Sequence, residues 1–337
     1  MTGVLAPRRF RLARSGRTIS ASYGRNYVLS RIGQAIVAAV LVYVLVFVIV
    51  TILPGDPVEA RLRNPEAGYT EQQVQDLLAY YHLNRPVWSQ LWYALQRLLF
   101  HADWGLSLDA GRPVWAVVLS GLPSTLGLAA AAFGIALVLA FAISLGACYL
   151  PARFGGGVLR AFPSLFLSAP NFLIGLLVIA VFSFRLRWFS IVDYSAVSTL
   201  IYPAITLAVP VSAPIAQIFI SALDGARYEQ YSTVAVAKGI SRYTLFVRHW
   251  LPNAALPTLT ISAIIVGDLL GGSIITEAVF GRTGLGKVIE TAATDQDVPV
   301  LQAVVTLAAL IFLAINLVVD LVYPVLDPRL RRAGAAR

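Results

Sequence analysis

The sequence predicts an all-α integral membrane protein with six membrane-spanning helices, and three observations carry that reading. Of 337 residues, 58% are hydrophobic and only 13% charged, against roughly 25% charged in a soluble domain, and mean hydropathy is +0.75. Uncharged windows long enough to cross a bilayer, about 20 residues, recur along the chain. Lysine and arginine crowd into alternate connecting segments, as a multi-pass topology requires. The same balance argues against a water-soluble enzyme. The single cysteine, Cys148, sits in an apolar run, so neither a disulfide framework nor a cysteine-based metal site is available.

The spans follow in order. Residues 32–53 are uncharged and apolar. A secretory signal is rejected there, because the run is longer than the 7–15 residues of a signal core and ends in Pro54-Gly55-Asp56-Pro57 without a small-residue cleavage pattern. Residues 113–152 are uncharged, and Pro123 is expected to trim the helix to about 124–150. Windows at 161–184, 194–223 and 298–319 supply three more spans. The sixth, 255–280, holds Asp268 and Glu277 among Ile, Val, Leu, Ala and Gly.

With six spans, both termini fall on the Arg-rich side. Residues 1–31 hold seven arginines and no acid, and Arg153, Arg160, Arg227, Lys238, Arg242, Arg248 and four tail arginines share that side with only Asp224, Glu229 and Asp327. The chain is therefore expected in the cell membrane, multi-pass, with both termini cytoplasmic. The formal charge of +9 reads as topology and not as nucleic-acid binding, since no aromatic-interleaved basic patch occurs away from the membrane edge. Residues 1–26 read as a basic cytoplasmic extension attracted to anionic headgroups, 27–332 as the membrane domain, and 333–337 as a tail.

The external segment 54–112 carries its own helices. Thr70 and Gln73 form a capping box ahead of a helix over 70–81, with Asn84 and Pro86 as stops. A second helix, 87–100, places Trp88, Leu91, Trp92, Leu95, Leu98 and Leu99 on one face, suited to the membrane interface or to packing on a span. The segment lacks a catalytic constellation and reads as a docking surface. The inner connection 224–252 is richer. Ala235 and Ala237 precede Gly239, which suits the left-handed position after a helix, and Ser241 suits an N-cap. Small residues with Lys238, Arg242 and Arg248 at the rim suit a helix that enters a partner's groove.

These residues resemble the cytoplasmic loop of ABC importer permeases, in which a triplet, three residues, a glycine and a downstream Leu-Pro (here Leu251-Pro252) form the coupling helix. Glu229, Tyr231, Ala237-Lys238-Gly239, His249, Asn253 and Pro257 resemble the dipeptide/oligopeptide/nickel permease family in particular. LPGDP at 53–57, HLNRP at 82–86, DWGLS at 103–107, GRPV at 111–114, SAPNF at 168–172, GGSIITEAVFGRTGLG at 271–286 and NLVVDLVYPVLDPRLR at 316–331 agree. Departures are Thr233 and Val234 in the triplet, the N-terminal extension, and Asp268. The resemblance implies the type I importer permease fold and a transport subunit without catalysis. It further implies a homologous second permease, two ATPase subunits that use ATP and Mg, and an extracytoplasmic substrate-binding protein. Peptide import is the expected function. Nickel or another small solute, and more remotely a self-sufficient channel or secondary carrier, are the alternatives.

Individual residues carry expectations too. Glu229, Tyr231, Ala235, Ala237, Lys238, Gly239, His249, Leu251, Pro252 and Asn253 form the ATPase-coupling loop. Asp268, Glu277, Pro170 and Asn171 are candidates for the translocation path or gate; the competing readings are a polar or basic partner on the second permease, or a hydrogen bond within the bundle, for Asp268, and local backbone or Arg282 for Glu277. Asp56, Asp103 and Trp104 are candidates for binding-protein docking. Asn316 and Asp320 share a face and are expected to bond to each other. His249 and Asn253 also share a face, but no third donor accompanies them and no metal site is expected. The chain has no G-x-x-x-x-G-K-[ST] phosphate loop, so it is not the nucleotide-binding part.

Overall fold

A computed structural model describes residues 21–52, 68–80, 82, 85–151, 155–190 and 196–326, and among these the regular elements are all helical. Helix α1 (Ala21–Ile52) is followed by α2 (Glu71–Tyr80) and α3 (Val87–His101). The core helices are α4 (Val114–Tyr149), α5 (Gly156–Leu167), α6 (Asn171–Val178, prolonged by a π-helical turn Ile179–Arg185) and α7 (Ala196–Tyr228). Short helices α8 (Gln230–Ala237) and α9 (Arg242–Leu245, running through a π turn Phe246–Trp250) lead into α10 (Leu251–Phe280). Helix α11 (Leu285–Thr294) and α12 (Val298–Leu326) complete the chain. Five helices are long and apolar enough to cross a membrane, and the bent pair α5–α6 makes a sixth span if taken together.

The centre is α4 against α7, with α10 packed on both. Helix α4 buries Gly121, Thr125, Leu128, Ala132, Ala136, Ala140, Ser144 and Ala147 at spacings of three and four. Such a seam of small residues lets helices approach where lipid supplies no hydrophobic drive between them. Ala204 and Leu207 of α7 and Leu269 of α10 close on its middle, and Ile215, Ala216 and Ile265 on the next layer.

Two expectations about the spans need correction. Pro123 does not end a helix, because α4 runs through it from Val114. The first turns bury Val114 and Val118 with Leu285, Val300 and Val304. At about 1.5–3 kcal/mol per buried side chain, that packing offsets the roughly 3 kcal/mol cost of an interior proline. The window 161–184 is not one straight helix; α5 and α6 meet at 110°, where Pro170 bars α conformation at Ala169. Residues 21–26 are already helical in α1; residues 1–20, the tail from 327 on, and Asp56 lie outside the described residues.

Between α1 and α4 the local signals are realised. The Thr70 amide donates to Gln73 Oε1 (2.9 Å) and the Gln73 amide to Thr70 Oγ1 (3.4 Å), closing the capping box. Helix α3 packs on a span, with Leu91 against Tyr43 and Phe47 of α1, while Trp88 and Trp92 stay exposed at 74% and 61%. At the opposite end of the last helix, Asn316 Nδ2 donates to the Phe312 carbonyl (2.9 Å) and Asp320 pairs with Arg31 of α1 at 3.4 Å. The expected Asn316–Asp320 bond is thereby replaced by ties to the helix's own backbone and to a neighbouring span.

Candidate functional site

The connection from Glu229 to Asn253 is built as a rigid, exposed bracket. Glu229 is the extended residue before α8, and its carbonyl accepts from the Ser232 amide (3.0 Å). At the other end Gly239 has φ +77°, its amide bonds to the Val236 carbonyl (2.9 Å), and the Ile240 amide bonds to the Ala235 carbonyl (3.1 Å). This pair of bonds is the Schellman motif, with Lys238 as the C-cap and glycine where a left-handed residue is needed. Ser241 Oγ then accepts from the Thr244 amide (3.2 Å), starting α9 as its sequence predicts.

Two side-chain bonds fix the bracket to the bundle. Trp250 Nε1 donates to Ser232 Oγ (2.8 Å), which donates to the Ala226 carbonyl (2.9 Å), tying α8 to the ends of α7 and α9. Asn253 Nδ2 donates to the His249 carbonyl (2.8 Å) and reaches the Tyr231 hydroxyl (3.4 Å). Ala235, Ile240 and Leu251 pack beside buried Leu245, Trp250 and Phe219, and Pro252 enters in the first turn of α10. The outer side of the bracket is bare: Val234 and Val236 are 53% and 57% exposed, with Ala237, Lys238 and His249 exposed beside them. Ser232 and Trp250 were not legible as a pair, being 18 residues apart and unremarkable in isolation.

Near the C-terminal end of α10, Glu277 is fully buried. Thr125 Oγ1 donates to its carboxylate (2.8 Å) and the Gly286 amide donates to Oε2 (2.9 Å), while the Leu285 amide donates to Thr125 Oγ1 (2.9 Å). Glu277 therefore bolts α4 to the start of α11, as the local-backbone alternative expects. The Arg282 amide donates to the Glu277 carbonyl oxygen (2.9 Å), while its guanidinium donates to Ser124 Oγ (3.0 Å). The GLG at 284–286 is explained by space. A Cβ on Gly284 would stand 2.1 Å from Glu277 Oε1, one on Gly286 2.5 Å from the Ile274 carbonyl oxygen, and one on Gly121 2.8 Å from the Gly284 backbone.

Asp268 lies on a different face. Ile264, Asp268, Gly271 and Ile275 form an exposed strip along α10. The strip is flanked by Gly267, tight against Phe312 of α12, and by Gly272, tight against Leu207 of α7 and near Asn171 Nδ2. Pro170 and Asn171, at the α5–α6 bend, are thus brought to the side of α10 that bears Asp268's strip. In the segment before α4, Asp103 is already engaged: it accepts from the Tyr80 hydroxyl (2.8 Å) and the Gly105 amide (2.9 Å). Burial first, and then the bond to Asp103, push the Tyr80 hydroxyl up to about 12, so it remains a donor throughout the physiological range. Trp104 packs on the outer core cluster. Asp297, unmarked in the sequence, accepts from Ser107 Oγ (2.5 Å) and the Asp109 amide (3.2 Å) while capping α12 through the Val300 amide (3.3 Å).

Residues 134–332 match the family model described as binding-protein-dependent transport system inner membrane component. The chain belongs to this family. The permease is 30% identical over 90% of its length to a probable peptide ABC transporter permease of Sinorhizobium fredii, covering 99% of that protein. It is 34% identical over 91% of its length to the glutathione transport system permease of Escherichia coli, again covering 99%, with the same figures for the Salmonella typhi protein of that description. The fold is that of the type I ABC importer permeases, and the chain is a multi-pass transport component and not an enzyme.

Proposed function

We propose that the permease forms half of the translocation pathway of an ATP-driven peptide importer and receives the ATPase stroke through α8. The observation that carries this reading is the bracket of α8, capped at Gly239 and anchored by Trp250, which presents small and apolar side chains outward. A short helix held at both ends transmits a push to α7 and α10 instead of bending. The Lys and Arg asymmetry supports a cytoplasmic position for this loop and for both termini. ATP and Mg belong to two partner ATPase subunits, a homologous permease supplies the other half, and an extracytoplasmic binding protein docks on the outer segment around α2, α3 and the 103–112 loop. Relatives named for peptides and for glutathione, itself a short peptide, support the substrate class.

The test is purification of the tagged chain from its native membrane, identification of stoichiometric companions, and uptake of labelled di- and tripeptides by the reconstituted complex. Co-purification with a second permease and ATPases, and ATP-dependent peptide uptake, are expected. A lone chain that moves solute without ATP, or a complex that imports nickel and no peptide, overturns the reading.

Asp268 is proposed to line the path. A carboxylate at mid-span costs about 2.5–3.5 kcal/mol against lipid, so its exposed strip calls for water or a polar partner, and a carboxylate there suits the ammonium of a peptide's amino terminus. Asp268→Asn is expected to lower uptake of free-amino peptides about tenfold, the equivalent of one charged hydrogen bond, and to spare N-acetylated ones. Equal uptake of both by the variant and the parent sinks the assignment.

A further inference from the structure

Beside the bracket, at the same end of the bundle, α4, α5, α7 and α9 enclose a cavity of about 370 Å³, within the range of small-molecule sites, about 300–1,000 Å³. Its polar wall is Arg160, Asp224, Arg227 and Arg242, and its apolar wall includes Leu150 and Trp250. Arg160 is spent: it grips Asp224 bidentately, at 2.5 and 3.2 Å. Among the described residues Asp224 is the only acid lining the cavity, and with it neutralised Arg227 and Arg242 face the same space with no ion pair. Tyr149 and Leu150 of the cavity's lining are 51% and 45% exposed and form an apolar shelf at its edge. Two uncompensated guanidinium groups above an apolar shelf at a span's end match one chemistry, a phosphate attached to acyl chains.

We infer that this cavity is a binding site for the phosphate headgroup of an anionic phospholipid, held by Arg227 and Arg242 against the α4–α7 end of the bundle. Because α7 runs directly into α8, a lipid seated there braces the base of the coupling bracket. The inference rests on the cytoplasmic placement of this loop proposed above, which selects the leaflet, but not on the substrate.

The experiment is native mass spectrometry of the purified transporter complex, titrated with phosphatidylglycerol or phosphatidylcholine and challenged separately with inorganic phosphate. The expected result is a phosphatidylglycerol retained per copy of this permease. Binding is expected to weaken about 25-fold in R227Q/R242Q, about fivefold per arginine, to persist in R227K/R242K, and to resist millimolar phosphate. R242Q alone, with its fivefold loss, serves if the double variant fails to assemble. Unchanged phosphatidylglycerol retention in the glutamine variants overturns the site. Equal retention of phosphatidylcholine, or displacement by inorganic phosphate alone, overturns the lipid assignment, and loss of the ATPase subunits with lipid unchanged reassigns the arginines to a protein contact. Lipid retention is read without transport, so a failed peptide assignment leaves this result standing, and labelling of an engineered tail cysteine from each side reports the leaflet independently.

Discussion

Gly239→Val is expected to reduce ATP-driven uptake about tenfold or more while leaving the amount of permease in the membrane unchanged. The two halves of that statement have separate physical origins. A Cβ at residue 239 meets nothing within 4 Å, so the substitution meets no clash at its first side-chain carbon. What it does create is backbone strain: φ is +77°, and a branched side chain there costs about 2 kcal/mol, enough to favour a rearranged loop about thirtyfold. The Schellman bonds from Gly239 and Ile240 are then lost, and with them the fixed angle between α8 and α9. Gly239→Asn is the discriminating partner, since asparagine tolerates the left-handed region; it is expected to restore most of the uptake. Loss in Asn and Val alike would mean that a partner surface needs bare backbone at this point, and full activity in Val would remove α8 rigidity from the coupling mechanism.

That such a prediction can be made from a glycine also shows what was legible beforehand. Features set by neighbours in sequence were readable, because their chemistry is local. The capping box at Thr70 and Gln73, the turn at Gly239 and the N-cap at Ser241 each involve residues three or fewer apart or one backbone conformation. Membrane spans were readable because a bilayer imposes length and polarity on any helix that crosses it. Competition between distant terms was not. Pro123 carries a helix-stopping signal, and only the burial of Val114 and Val118 against Leu285 and Val300 decides the contest. Pro170 carries the same signal and there it prevails, since the π-helical end and exposed face of α6 offer no comparable burial across the bend. The roles of Glu277 and Asp297 depend on partners 152 and 190 residues away, and no window on the chain contains both members.

Glu277 gives the second large expectation, for stability. Glu277→Ala removes the acceptor of two buried bonds and leaves the Thr125 hydroxyl and the Gly286 amide short of partners, at about 1–3 kcal/mol each, in addition to the cavity left by the deleted side chain. A loss of about 4 kcal/mol or more follows, large against the 5–15 kcal/mol of a whole domain. Gly284→Ala is expected to be as severe for the opposite reason, since its methyl would stand 2.1–2.3 Å from the Glu277 carboxylate atoms with α4 behind them. Glu277→Gln separates geometry from charge. The amide oxygen can still accept from the Gly286 N–H and the amide nitrogen can donate to Thr125 Oγ1, so the bolt between α4 and α11 survives with its shape intact. The thermal midpoint of the purified complex is therefore expected to fall sharply for the alanine variants and little for glutamine, and glutamine is expected to keep transport. A glutamine variant as thermally stable as the parent but inactive in uptake would return Glu277 to the gate, because only a role that needs the negative charge itself distinguishes the two side chains in that buried position.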